Sequence, residues 1–133
     1  MKRQLRTALL ALAYTAATCS ISIAAGFFNP PATEFTTESV SGKTMVSSGY
    51  PNGSMTFNSN GSLVCTNYPA FVSCKNWKIQ DGTLRREFID SHTGSPVEVV
   101  AVWKLLSRSD NTLQVQQTSN NSTGATTVTV TIQ

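Results

Sequence analysis

The chain has 133 residues, room for one domain. Its ten Lys and Arg exceed its seven Asp and Glu, but Lys2, Arg3 and Arg6 open the chain, and the remainder carries seven basic residues against seven acidic ones. A domain of zero net charge has no basic field to neutralise phosphates, which argues against nucleic acid and against a polybasic membrane-surface role.

The first element, residues 1–26, reads as a secretory signal peptide. Lys2, Arg3 and Arg6 form its basic start, and Thr7 to Gly26 is uncharged and rich in Ala and Leu. Ile23-Ala24-Ala25 and Ala24-Ala25-Gly26 are candidate cleavage sites, so the exported chain is expected to begin near Phe27. An uncleaved anchor is the alternative, since a span takes ~20 apolar residues, but Thr7, Thr15, Thr18, Ser20 and Ser22 dilute this run. Lipidation at Cys19 is disfavoured because Ala16-Ala17-Thr18 departs from the usual residues before a lipidated cysteine. The expected location is the periplasm or beyond, without membrane attachment after cleavage.

Residues 27–42 form a lead-in segment expected to be extended, because Pro30-Pro31 opposes both helix and central strand. From residue 43 onward, short β-rich runs alternate with turn signals. The predicted strands are 43–48, 54–58, 62–66, 71–79, 83–89, 97–106, 112–118 and 125–132. Gly49–Gly53, Asn58–Gly61 and Gln80–Gly82 are read as turns; Asn-Gly pairs accept the positive φ that tight hairpins require. Thr127 to Ile132 alternates strictly, placing Val128, Val130 and Ile132 on one face. Connections are short, so consecutive strands should be neighbours. The implied fold class is all-β: a small antiparallel up-and-down barrel of about eight strands, with an open β-sandwich as the alternative.

The domain keeps two cysteines, Cys65 and Cys74, and an even pair in an exported chain reads as a disulfide. Their midpoint falls in the connection at Asn67–Ala70, so a symmetric hairpin would oppose them. His92 is the lone histidine, and neither a metal site nor a cofactor is expected. Asp90-Ser91-His92 holds triad residue types, but three consecutive loop residues do not converge as a triad must. The carboxylates Asp81, Glu87, Asp90, Glu98 and Asp110 fall at turns or outward positions. No catalytic residues are assigned, and the protein is expected not to be an enzyme.

Met55, Phe57, Trp77, Arg86 and Trp103 are the candidate pocket residues. The three aromatics either line a pocket or fill the core, and short strands favour a filled core. Arg86 shares parity with Leu84 and Phe88, which would carry its guanidinium inside to meet an anion or orient a carboxylate-bearing ligand. The favoured expectation is a bulge at Arg85-Arg86 that turns both side chains outward.

Met55-Thr56-Phe57-Asn58-Ser59-Asn60-Gly61, Asn76-Trp77-Lys78-Ile79-Gln80-Asp81-Gly82-Thr83-Leu84 and Val102-Trp103-Lys104-Leu105 resemble the small bacterial lipocalin-like domains. The resemblance covers most of residues 42–118 and rests on hairpin motifs. The wider calycin group to which it points binds small apolar ligands inside the barrel. The resemblance therefore implies an exported binding protein for a small apolar or amphipathic molecule. The alternative is a protein-interaction module, such as an inhibitor of an exported protease or a secretion accessory, with the segment 27–42 as its inserting arm.

Overall fold

The computed structural model describes residues 33–133. The expected signal peptide, its candidate cleavage sites and Cys19 lie outside the described residues. Eight strands come after one short helix: α1 (Thr37–Val40), β1 (Thr44–Ser47), β2 (Tyr50–Phe57), β3 (Leu63–Thr66), β4 (Val72–Gln80), β5 (Thr83–Asp90), β6 (Val97–Ser109), β7 (Thr112–Ser119) and β8 (Thr126–Ile132). They form one antiparallel sheet in the order β3-β2-β1-β8-β7-β6-β5-β4. Every neighbouring pair is consecutive in the chain except β1 and β8, whose Met45 and Ile132 are partners. The result is an up-and-down barrel, nearly closed, with β3 and β4 as the two edges of its seam.

The seam is closed by little backbone pairing. A single bridge, Ser62 with Asn76, joins the edges, reinforced by the Trp77 amide donating to the Gly61 carbonyl at 2.9 Å. Cys65 and Cys74 are bonded across the gap with Cα atoms 5.7 Å apart. The disulfide thus staples the barrel seam instead of a paired hairpin. An extra residue, Lys75, interrupts the register of β4 on β5 between Cys74 and Asn76.

Alternation decides what fills the barrel. Val128, Val130 and Ile132 of β8 point inward and are buried, as do Leu113 and Val115 of β7 and Val99, Ala101, Trp103 and Leu105 of β6. Met45, Met55, Phe57, Leu63, Trp77 and Leu84 complete the core. The eight strands match their predicted extents to within one residue at each end, except for the start of β2 and the end of β6. β2 begins at Tyr50, not at residue 54, because Ser48-Gly49 alone makes the turn; Pro51-Asn52-Gly53 become extra residues in β2, between the partners Ser47–Tyr50 and Met45–Met55. β6 runs to Ser109 past an irregularity between Leu105 and Ser107.

The described part of the lead-in segment carries a helical turn. The Thr36 hydroxyl accepts from the Ser39 amide at 3.1 Å, and the Ser39 hydroxyl accepts from the Thr36 amide at 3.0 Å, a reciprocal cap. This turn delivers Phe35 and Val40 into the core. The Phe35 amide donates to the Gly82 carbonyl, and the Gly42 amide to that of Phe57. One end of the barrel, carrying the turns after β2, β4 and β6, is thereby plugged. The opposite end, carrying the connections after β1, β3, β5 and β7, is the mouth.

Candidate functional site

At the mouth polar and aromatic side chains join Val99 and Ala101 on the inner face. β5 places Leu84, Arg86 and Phe88 on its inner face, and its pairing with β6 runs unbroken from Leu84–Trp103 to Asp90–Val97. No bulge sits at Arg85-Arg86; the extra residue of this hairpin is Lys75 on β4. Arg86 therefore keeps its parity and points inside, 4% exposed, which corrects the expectation that it faces solvent. Arg85 points the other way and pairs with Glu87 at 3.3 Å.

The Arg86 guanidinium lies 3.7 Å from the centroid of the Trp103 indole and 5.5 Å from that of Phe88. Its Nη2 donates to Gln117 Oε1 at 3.2 Å, and its Nη1 meets only the Met55 sulfur, at 3.5 Å. Nε is buried without an acceptor. Gln117 Oε1 also accepts from Trp103 Nε1 at 2.7 Å, so one amide oxygen positions both the cation and the ring beneath it. Among the described residues, no carboxylate pairs with Arg86. Burial pulls its pKa down to about 9, against a smaller opposing influence from Tyr68, so it remains charged at neutral pH.

Arg86, Met55 and Gln117 line a chamber of about 280 Å³ with Tyr50, Tyr68 and Ala101. Outside it lies a second, predominantly apolar space of about 350 Å³ walled by Tyr68, Pro69, Phe71, Val72 and Phe88. Tyr50, Tyr68, Phe88, Val99 and Asn121 border both. The Tyr50 and Tyr68 rings stack with centroids 4.5 Å apart, and desolvation raises the Tyr68 phenol, partly offset by the Arg86 charge. Gly53 makes this stack possible: a Cβ there would lie 2.6 Å from the Tyr68 ring and 2.8 Å from that of Tyr50. The Tyr50 hydroxyl ties β2 to the β3–β4 connection by donating to the Asn67 carbonyl at 3.3 Å.

The five candidate pocket residues separate into two groups. Met55 and Arg86 line the chamber. Phe57, Trp77 and Trp103 are buried in the core: Phe57 and Trp77 pack edge to face at 5.8 Å, and Trp77 Nε1 donates to the Asn58 carbonyl at 2.9 Å. Trp103 reaches the site from below, as the surface on which Arg86 stacks. Tyr50, Tyr68 and Gln117 were not anticipated. The first two fall in segments read as turns, while Gln117 continues the parity of Leu113 and Val115 and was open to the same reading.

The other candidates lie outside the chamber, although Asp90 borders the outer space. Asp90 Oδ1 accepts from the His92 amide at 2.9 Å and from its Nδ1 at 2.8 Å, a local turn that holds the Asp90 carboxyl below its ordinary pKa. Among the described residues, no three His, Cys, Asp or Glu side chains gather as metal ligands would.

Comparison with family models, with curated proteins and with solved structures finds no match for this chain.

Proposed function

We propose that the protein is an exported, non-enzymatic binding protein of lipocalin-like type that takes a small amphipathic molecule into the mouth of its barrel. The observation that carries this reading is the two-part cavity, a chamber of mixed lining around Arg86 that shares Tyr68 and Phe88 with a mainly apolar outer space. Ligand sites are concave, mostly apolar, and carry a few placed polar groups. The bonded cysteines are compatible with an oxidising compartment outside the cytosol. The interaction-module alternative loses part of its arm, since Phe35 and Val40 are anchored in the core.

Titration with a neutral, polarity-sensitive dye such as Nile red tests the reading. Saturable one-site binding is expected, weakened several-fold by Phe71→Ser, which removes an outer wall. Burial of apolar surface should also give a negative heat-capacity change by calorimetry. Absence of saturable binding for the dye and for a panel of fatty acids and sterols would overturn the reading in favour of protein interaction.

A further inference from the structure

The chamber floor holds one positive charge, and the protein supplies too few acceptors for it. A guanidinium offers five N–H groups. Gln117 Oε1, itself shared with Trp103, takes one from Nη2; a thioether sulfur, a weak acceptor, faces Nη1; Nε has none. A buried cation costs free energy unless it is paired, and among the described residues nothing anionic pairs with it. Stacking on Trp103 compensates in part, since a desolvated cation is attracted to the face of an indole.

We infer that Arg86 is the receptor for the head group of an organic monocarboxylate, whose apolar body extends outward between Tyr68, Phe71 and Phe88. This deepens, and rests on, the reading of the mouth as a small-molecule site. Three features select the ligand. Arg86 is the sole Lys or Arg on the chamber wall, so a single negative charge is neutralised whereas a dianion such as a phosphate monoester leaves one charge over. The planar guanidinium matches a planar carboxylate. The space around Arg86 mixes polar and apolar lining, whereas the second space is mainly apolar apart from Asp90 and Asn121, so the acid is directed to Arg86 and the apolar body away from it. The Met55 sulfur is the partner most readily given up, being a weak acceptor at 3.5 Å. Gln117 keeps Arg86 oriented over Trp103 and acts as a positioning residue.

The test compares decanoate, decanol and decyl phosphate on the intact exported protein, by calorimetry and by Trp fluorescence. Decanoate is expected to bind at least ~10-fold more tightly than decanol, as a charge-assisted hydrogen bond allows, and more tightly than decyl phosphate. Arg86→Met should abolish that preference, so that decanoate binds no more tightly than decanol. Arg86→Lys keeps the charge without the fork and should restore only part of it. Equal affinity for acid and alcohol, or a preference that survives Arg86→Met, overturns the inference while leaving the small-molecule reading intact. Tighter binding of decyl phosphate overturns the choice of carboxylate. Failure of all three probes and of Nile red removes the underlying reading itself. Circular dichroism and the melting temperature of each variant separate loss of binding from loss of fold.

Discussion

Arg86 and Gly53 are the residues on which the mouth depends most. Replacing a buried, unpaired cation with an apolar side chain of similar length is often neutral or stabilising, so Arg86→Met is expected to melt at or above the wild-type temperature. The pH dependence has a definite sign. Burial lowers the Arg86 pKa from its much higher ordinary value to about 9, so in the interval above about 9 the unfolded chain holds more protons than the folded one. Stability must then rise with pH in that interval: the cost of burying the charge is present in full below about 9 and relieved above it. Urea titrations should show the gap between Arg86→Met and wild type closing above about pH 9; a gap that widens there would contradict the burial of an uncompensated charge. Tyr50 and Tyr68 are the titratable groups facing Arg86 in the chamber; without the Arg86 charge the Tyr68 phenol is raised further by its desolvation, which acts in the same direction by lowering the stability of Arg86→Met at high pH. Gly53→Ala would press a methyl into both stacked tyrosines. It is expected to weaken Nile red binding several-fold with a small change in melting temperature, since the mouth can yield where the core cannot. The inward parity of Arg86 was legible in the alternation Leu84-Arg86-Phe88. Whether a bulge broke that parity was not, because bulges depend on how a partner strand pairs, and here the extra residue fell on Lys75 across the hairpin.

Among the elements, the seam strands β3 and β4 are the vulnerable pair. With one bridge between them, the Cys65–Cys74 bond supplies most of their connection. Closing so short a loop contributes about 2–3 kcal/mol in the chain-entropy model, so a Cys65→Ser, Cys74→Ser double mutant should melt ~10–20 °C lower. Amide exchange in β3 should accelerate more than in β7, which is paired on both sides. An unchanged melt would show that the seam holds without its staple. The reciprocal cap on α1 is a separate device: Thr36→Ala is expected to cost ~1 kcal/mol and to loosen the plugged end without altering the mouth. All eight strands were legible as β-rich runs between turn signals, and β8 also by strict period-two alternation, because a half-buried strand imposes that pattern on its own residues. The start of β2 was not, since Pro51-Asn52-Gly53 carry turn chemistry yet sit as extra residues within a strand. Nor was α1, since one capped turn shows no 3.6-residue period; its anchors Phe35 and Val40 stand alone in polar sequence. The pairing of the cysteines followed from their number, but their placement across a seam is a property of closure, which local spacing does not encode.

At the scale of the whole molecule, the barrel is two devices end to end. The lower part, from Phe35 and Val40 through Phe57, Trp77 and Trp103, is filled with side chains and supplies stability. The upper part gives up that packing to hold one desolvated charge under an apolar opening. Departures from a uniformly apolar interior mark functional sites more often than structural ones, and this one coincides with the open end. The central claim, that the mouth receives a small amphipathic ligand with its acid at Arg86, is tested most directly by an NMR titration of isotopically labelled protein with decanoate. Saturable shifts are expected at the Arg86 Nε–H, the Trp103 indole N–H, the Gln117 side-chain amide and the backbone of Tyr50, Tyr68 and Phe71, with Phe35 and Val40 unmoved. Shifts that never saturate, or that centre on the outer faces of β5 and β6 or on the plugged end, would contradict it.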